Sequence, residues 1–268
     1  MSKEPVQVVW ISDTHVGSTV GLSPCHWKID EDNIHKASKS QLALYKFWTQ
    51  FWLRRKKDGR PMIVILGGDL VDGDHHSTLQ LWTNDELIQV DAAVDLLKPI
   101  VNTAKKAYLL RGTTAHVGQS GRFDSLVARE LGIPAFYHLR LNVDNVIFDL
   151  AHHGPNIGKR TWNLGNSVRN YGRSIVMANM MQGRTPSQVI IRGHVHRMCH
   201  ETIRDGNHTT EVLIAPSWQL KSEYAYRVDT ENDLSDIGGV VVGVFNGKMT
   251  DVTFDTMQFE QSESVSVR

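Results

Sequence analysis

The sequence predicts an α/β fold in a single domain. Short runs of β-branched and aliphatic residues, bounded by glycine or polar residues, alternate with longer stretches of helical periodicity. Further apolar runs without helical stretches between them follow near the C-terminus. Strand–helix alternation that gives way to a strand-rich part is typical of helices layered on a sheet. The length of 268 residues also allows two small domains, but polar motifs spread along the chain favour one domain over residues 1–268.

Seven apolar runs are the predicted strands. Each is short and rich in valine, isoleucine or leucine, and this pattern favours a buried strand. The dipeptide Asn246-Gly247, which precedes a further strand at Met249–Phe254, is a signal for a type I′ hairpin. The seven runs are Val6–Ile11, Met62–Leu66, Ala107–Leu110, Val146–Ala151, Val189–Ile191, Leu213–Ala215 and Gly239–Phe245.

Four stretches between the strands have the periodicity of amphipathic helices. In the second of them, Thr83 or Asn84 is placed to cap the start of the helix. The first has a broad apolar face formed by Leu42, Tyr45, Trp48 and Trp52. The four stretches are residues 38–57, 84–98, 123–131 and 165–182.

The composition is that of a soluble globular protein. Hydrophobic residues make up 41% of the chain and charged residues 22%, which is enough apolar material for a core and excludes disorder for most of the chain. No apolar run approaches the roughly 20 residues that cross a bilayer, and the first residues lack the pattern of a signal peptide. The two cysteines, Cys25 and Cys199, fit a reducing compartment. We therefore expect a cytoplasmic protein without a membrane partner, and a frayed tail at residues 261–268.

Motifs rich in aspartate and histidine follow five of the predicted strands. In α/β sheets, ligands bind beyond the carboxyl ends of the strands, so we expect these motifs to form one polar cluster. Carboxylates and imidazoles together are ligands for Mn, Fe, Zn, Co or Ni rather than for Ca or Mg alone. The sequence therefore predicts a metal site. Its motifs are Asp13-Thr14-His15, Gly68-Asp69-Leu70-Val71-Asp72-Gly73, Gly112-Thr113-Thr114-Ala115-His116, His152-His153-Gly154 and Gly193-His194-Val195-His196.

The order of these motifs resembles that of the calcineurin-like metallophosphoesterase superfamily, and the resemblance spans residues 13–196. The resemblance implies an α/β four-layer sandwich, in which helices flank two mixed β-sheets and the metal site lies at the C-terminal ends of the strands. It also implies two divalent metal ions and hydrolysis of a phosphate ester by in-line attack of a hydroxide that bridges them. Manganese is the metal that we expect first, with Fe, Zn, Co, Ni or Mg as alternatives.

The resemblance also assigns roles to single residues. Asp13, His15 and His196 would bind the first metal, and His153 and His194 the second. Asp69 would bridge both, and Asp72 would support the ligands from behind. His152 is the alternative to His153, because adjacent residues of a strand point to opposite faces and only one of the two would face the site.

The third motif departs from the family pattern Gly-Asn-His. Here Gly112 is followed by Thr113, and the histidine, His116, comes two residues late. Thr113 can replace the asparagine as a weak oxygen ligand, or water can take that position. His116 is the candidate catalytic residue, a general acid for the leaving group, with a structural role as the alternative.

The Gly-His-x-His ending favours a phosphodiesterase or nuclease, because the family's protein phosphatases tend to lack the histidine equivalent to His196. The expected partner is therefore a phosphodiester or nucleotide, including DNA or RNA. Two alternatives stay open. One is a phosphomonoesterase or protein phosphatase, and the other is a scaffold that has lost catalysis and serves as an interaction module, which the altered third motif suggests.

The charge distribution bears on this substrate. Lys and Arg total 29 and Asp and Glu total 29, so the net charge is zero, which by itself argues against a nucleic-acid partner. Residues 151–200 nevertheless contain basic residues and no acidic ones, and an acidic C-terminal part balances them. Arginine suits bidentate contact with phosphate, and a solvated surface is the alternative interpretation. The candidate substrate-binding residues are Arg160, Arg169 and Arg173.

Overall fold

Two mixed β-sheets stack face to face in the structure, a computed structural model that describes residues 4–74, 80–118, 121–158, 161–222 and 235–257. In chain order the strands are β1 (Val6–Ile11), β2 (His26–Lys28), β3 (Ile34–Lys36), β4 (Met62–Leu66), β5 (Lys106–Leu110), β6 (Ala135–Phe136), β7 (His138–Val143), β8 (Val146–Ala151), β9 (Val189–Arg192), β10 (Cys199–Asp205), β11 (His208–Ile214), β12 (Ile237–Phe245) and β13 (Lys248–Met257). The helices are α1 (Lys39–Asp58), α2 (Glu86–Val101), α3 (Thr114–Val117), α4 (Arg122–Leu131) and α5 (Asn166–Met181).

The first sheet has the strand order β13-β12-β1-β4-β5-β6, and the second has the order β10-β11-β9-β8-β7. Strands β1, β4, β5 and β6 run parallel, whereas β12 is antiparallel to β1. In the second sheet β8, β9 and β11 run parallel, and the edge strands β7 and β10 are antiparallel to their neighbours. The parallel strands of each sheet therefore bring their carboxyl ends to a common edge, where the motifs begin.

The core between the sheets explains why the inner strands are apolar on both faces. All residues of β1 are buried, with Trp10 packing toward the second sheet and Ile11 toward the helices. Phe148 and Leu213 meet Trp10 from the second sheet within the same apolar cluster. Burial on both faces is the rule for parallel strands covered on each side.

Helices cover the outer faces and complete four layers. The apolar faces of α1, α2 and α4 pack on the first sheet, for example through Phe51, Leu97 and Val127. Helix α5 packs on the second sheet through Val168. It approaches closely at Gly172, where a Cβ atom would lie 2.5 Å from Val212 Cγ2. The predicted four-layer sandwich of two mixed sheets is confirmed.

The predicted helices are present, and two details of them differ. Leu42, expected on the apolar face of α1, is 44% exposed, because the buried face of α1 is centred on Leu44 and Phe51. The residue that caps α2 is Asp85 rather than Thr83 or Asn84. The Asp85 carboxylate accepts the backbone N–H groups of Leu87 and Ile88, which only a side chain directly before the first turn can reach.

The predicted strands are also present, and the hairpin turn is confirmed by positive φ angles at Asn246 and Gly247. The sequence does not predict β2, β3, β6, β7 and β10. Strands β7 and β10 are sheet edges whose sequences, His138–Val143 and Cys199–Asp205, mix charged with apolar residues and so lack a continuous apolar run. The tail at 261–268 lies outside the described residues. None of the helices in the described ranges has the length and apolar character needed to span a membrane.

A buried ion pair lies within the second sheet, and a hydrogen bond from its arginine reaches α5. Arg192 Nη2 donates to Asp149 Oδ1 at 2.6 Å, His138 Nε2 lies 2.9 Å from the same oxygen, and Arg192 Nε donates to the Tyr171 hydroxyl. The side chains of Arg192 and Asp149 are 3% and 7% exposed. Burial opposes ionisation, but the hydrogen bond from His138 and the charge of Arg192 outweigh it and lower the pKa of Asp149.

Replacing Asp149 by asparagine should destabilise the fold by about 3 kcal/mol near neutral pH, because Arg192 keeps a buried, uncompensated charge. Since the pKa of Asp149 is lowered on folding, its contribution is present above the unfolded value of about 3.9 and is lost as pH falls further. Urea unfolding at several pH values measures both effects. Asp91→Asn, on the exposed face of α2, is the matched control. A difference between Asp149→Asn and wild type that did not shrink in acid would contradict the assignment.

Candidate metal centre

The aspartates and histidines of the motifs form a connected cluster at the carboxyl ends of the strands. In each of four groups of three residues, one potential ligand atom per residue lies within 4.8 Å of the others. The groups share members, so they join into one centre. They are Asp13-His15-His196, Asp13-Asp69-His152, His15-Asp69-His116 and His152-His153-His194.

The backbone is strained at several candidate ligands, and these strained conformations direct their side chains toward the cluster. Eight described non-glycine residues have a positive φ angle, and five of them belong to the motifs. A positive φ is uncommon outside glycine and is tolerated where the surrounding structure imposes it. The five are Asp13 (56°), His15 (43°), Asp69 (51°), His194 (71°) and His196 (58°).

Backbone hydrogen bonds between the loops impose these conformations. The N–H of Asp13 donates to Gly68 O at 2.9 Å, and the N–H of His15 donates to Asp69 O at 3.1 Å. The N–H of His194 donates to the Asp13 carboxylate at 3.2 Å, which ties the end of β9 to the end of β1. The loops therefore hold one another, and the motif of one strand depends on those of its neighbours.

One side of the cluster contains Asp13, His15 and His196. His15 Nδ1 donates to Asp72 Oδ1 at 2.8 Å, so Asp72 orients the ring from behind and leaves Nε2 facing the cluster. His196 Nε2 lies 3.3 Å from Asp13 Oδ1. Among the described residues, the buried atoms Asp13 Oδ1 and His15 Nε2 have no hydrogen-bond partner. Two buried polar atoms without partners, next to a third ligand atom, fit a divalent cation.

Asp69 lies at the centre and belongs to two of the groups. Its Oδ1 accepts the N–H of Thr113 at 2.6 Å, and its Oδ2 lies 3.0 Å from His152 Nε2 and 4.0 Å from His194 Nδ1. The carboxylate therefore has neighbours on both sides of the cluster. This position fits a carboxylate shared by two cations.

Both histidines after β8 face the cluster, and the expectation that only one of them would do so is wrong. Strand β8 ends at Ala151, so the alternation of side chains across a strand does not extend to His152 and His153. His152 is buried, and its Nδ1 donates to Gly67 O at 2.7 Å, which leaves Nε2 as the possible ligand atom. His153 is exposed, and its ring centroid lies 4.6 Å from that of His194.

The third motif places two further groups at the cluster. Thr113 Oγ1 lies 3.1 Å from His194 Nδ1 and 3.4 Å from His152 Nε2, so its hydroxyl lies between two histidines of the cluster. His116 Nδ1 donates to the carbonyl oxygen of Asp72 at 3.1 Å. The rings of His116 and His15 pack edge to face, with centroids 4.6 Å apart.

Opposite charges compensate one another inside the cluster. Burial opposes ionisation of Asp13 and Asp69, but the charge of His152 and the hydrogen bonds and charges of neighbouring histidines together outweigh it and hold the pKa of both carboxyls well below the usual range. In turn, burial opposes protonation of His152, but Asp69 and Asp13 raise its pKa to about 10. Asp72 raises the pKa of His15 in the same way against burial. The protonated imidazole of His152 therefore balances part of the charge of the buried carboxylates.

The candidate substrate-binding arginines have different environments. Arg160 lies outside the described residues. Arg169, on α5, donates two hydrogen bonds to Glu201 Oε2 at 2.6 and 2.9 Å. Its guanidinium is therefore already paired with an acidic side chain of β10. Arg173 is exposed on the same helix.

Two buried polar residues that support the motifs are not singled out in the sequence. Gln89 of α2 accepts the N–H of Gly73 and donates to Thr83 O, each at 2.8 Å. Asp124 of α4 accepts backbone N–H groups from both the second and the third motif. The sequence signal that could have identified them is a polar residue on the inner face of a predicted helix. Burial, and after it the charge of Asp69, raises the pKa of Asp124 to about 7.

No protein-family model and no curated protein sequence matches the chain. Solved structures similar to it include an archaeal phosphodiesterase, with 11% identity, coverage of 94% of this chain and 100% of that chain, and a TM-score of 0.43. A predicted phosphoesterase from Streptococcus pneumoniae has 10% identity, coverage of 97% and 96%, and a TM-score of 0.38. The purple acid phosphatase from yellow lupin (Lupinus luteus) seeds has 12% identity, coverage of 94% and 53%, and a TM-score of 0.47. At TM-scores below 0.5, these similarities assign no function and no residue to the chain.

Proposed function

We propose that this protein is a metal-dependent phosphoesterase that binds two divalent cations, with Mn²⁺ as the first metal to test, and hydrolyses a phosphodiester. The observation that carries the proposal is the cluster around the buried Asp69 carboxylate, in which five candidate ligands adopt strained backbone conformations. Strain of this kind is retained where a site needs side chains in fixed positions. The order of the motifs, which resembles that of calcineurin-like metallophosphoesterases, agrees with this chemistry.

The residues divide between two cation positions on either side of Asp69. Asp13, His15 and His196 would hold the first cation, with Asp13 Oδ1 and His15 Nε2, two buried atoms that make no hydrogen bond within the described part of the chain, as ligand atoms. The second position is formed by histidines of two loops and an oxygen of the third motif. These residues are His152, His153, His194 and Thr113.

Two bound divalent cations would supply positive charge to the phosphoryl oxygens and would make a bound water more acidic. The protein's own residues position the other participants. Asp72 holds both His15, through its carboxylate, and His116, through its carbonyl oxygen. Because Nδ1 of His116 is occupied by Asp72 O, Nε2 is the atom that can pass a proton to the leaving oxygen. His116 is therefore the proposed general acid.

A phosphodiester such as a nucleotide, DNA or RNA is the proposed substrate class. The histidine pair of the Gly-His-x-His motif favours a diester, and Arg173 offers an exposed positive charge on α5. A phosphomonoester is the second candidate, since the same centre could bind its phosphoryl group. Comparing p-nitrophenyl phosphate with its bis ester distinguishes the two.

With Mn²⁺, the wild-type protein should hydrolyse bis-p-nitrophenyl phosphate, and Asp69→Asn should lose about 100-fold or more in rate, because loss of a shared ligand harms the centre at least as much as loss of a supporting residue. Release of p-nitrophenolate is followed by its absorbance. Asp91→Asn is the matched control on the exposed face of α2. Equal background rates in wild type and Asp69→Asn would instead support a scaffold without catalysis.

Metal binding should release protons. His152 has a pKa raised to about 10, so it is protonated at neutral pH in the metal-free protein, and only its neutral form can bind a metal. Mn²⁺ affinity should therefore fall as pH is lowered. Titration calorimetry in two buffers of different ionisation enthalpy measures the number of protons released. A heat of binding that is independent of the buffer would contradict the exchange of protons for metal.

His116→Ala should separate proton donation from metal binding. If His116 protonates the leaving oxygen, the variant should lose about 100-fold or more in kcat on a dinucleotide, whose leaving alkoxide needs a proton. The loss should be much smaller on bis-p-nitrophenyl phosphate, whose phenolate leaves without one. Metal content, measured by elemental analysis, should stay unchanged. Loss of one metal equivalent would make His116 a ligand instead.

A further inference from the structure

Asp124 is a fully buried carboxylate outside all five motifs, in the first turn of α4. Its Oδ2 accepts the N–H of Gly112 at 2.8 Å and the N–H of Asp69 at 3.3 Å, and its Oδ1 accepts the N–H of Leu70 at 3.2 Å. The three donors are backbone groups from two separate loops. One carboxylate therefore joins the loop after β4 to the loop after β5.

The loop after β4 needs such a contact because its backbone is strained at Asp69, where φ is 51°. Asp124 accepts hydrogen bonds from the backbone N–H groups of Asp69 and Leu70, which lie on either side of the α-carbon of Asp69. Both hydrogen bonds hold the turn against a side chain that α4 fixes in place. Asp124 thus opposes relaxation of the strained turn.

The loop after β5 approaches Asp69 from the other side. The N–H of Thr113 donates to Asp69 Oδ1 at 2.6 Å, and a Cβ atom on Gly112 would lie only 2.0 Å from the same oxygen. By holding the N–H of Gly112, Asp124 sets the distance between this loop and the Asp69 carboxylate. The position of Asp69 Oδ1 therefore depends on Asp124 through both loops.

We infer that Asp124 is a positioning residue that holds the Asp69 carboxylate where it can be shared by two cations. The inference rests on the proposed function, because it assigns the residue a task in the proposed metal centre. Asp124 touches neither cation position itself. It acts through the backbone of Asp69 and Gly112.

Asp124→Asn tests this positioning role, since asparagine has nearly the same shape as aspartate. Its side chain has only one acceptor oxygen, and its NH2 group would face a backbone N–H that now donates to Asp124. Its matched control is Asp95→Asn, the same change on the exposed face of α2. The measurements are Mn²⁺ binding by equilibrium dialysis, the electron paramagnetic resonance spectrum of the loaded protein and urea unfolding of the metal-free protein. A merely structural residue would lower stability without altering the coupling between two Mn²⁺ ions in the folded protein.

For wild type and Asp95→Asn we expect two Mn²⁺ per chain and a spin-coupled spectrum. For Asp124→Asn we expect cooperative unfolding, an affinity for the second Mn²⁺ that is 10- to 100-fold weaker, by analogy with residues that support metal ligands, and a spectrum of isolated ions. Amides of residues 69, 70 and 112 should exchange hydrogen faster in this variant than in wild type.

Two results would overturn the inference. If wild type and Asp124→Asn both bind two coupled Mn²⁺ ions with equal affinity, Asp124 does not position Asp69, and the proposed function is untouched. If wild type itself does not bind two Mn²⁺ ions, the proposed function and this inference fall together. Should Asp124→Asn not fold, Asp124→Ser, whose small side chain leaves space for water near the amides, is measured in the same way and judged by the same outcomes.

Discussion

The position of the Asp69 carboxylate constrains the rest of the centre. Asp69 follows the central strand β4, and the other four motifs all approach it. The N–H of His15 donates to its carbonyl oxygen and the N–H of Thr113 to its carboxylate, while His152 Nε2 and His194 Nδ1 lie 3.0 and 4.0 Å from its second carboxylate oxygen. The strained φ angle at Asp69 can persist only because these contacts, together with Asp124, offset its cost. Changing one loop therefore changes the geometry of all of them.

The same cluster buries negative charge, which is unfavourable unless positive charge compensates it. Asp13 and Asp69 lie out of contact with water, and an isolated buried carboxylate is unfavourable by several kcal/mol. A proton on His152 compensates part of this charge in the metal-free protein, and divalent cations would do so in its place. The second sheet shows the same principle without any candidate metal. There Arg192 pairs with the buried Asp149 only one residue before the loop that carries His194.

Structural elements that are encoded by residues adjacent in the sequence could be predicted well. The inner strands, such as β1 and β4, are apolar on both faces, so continuous apolar runs identify them with nearly the same boundaries. Edge strands such as β7 and β10 are covered on one side only, and their mixed sequences give no such signal. Leu42 illustrates a finer limit: helical periodicity locates an apolar face, but which part of that face is buried depends on the sheet beneath it.

The sequence by itself determined that strands deliver aspartates and histidines to one edge, since both the apolar runs and the motifs after them are local patterns. It also determined the order of the motifs, from which a metal-binding centre follows. Only the tertiary structure decided that His152 and His153 both face the cluster, that Glu201 occupies Arg169, and that Asp124 joins two motif loops. These outcomes depend on where a strand ends and on contacts between residues far apart in the chain, such as Arg169 with Glu201. No spacing along the sequence encodes such contacts.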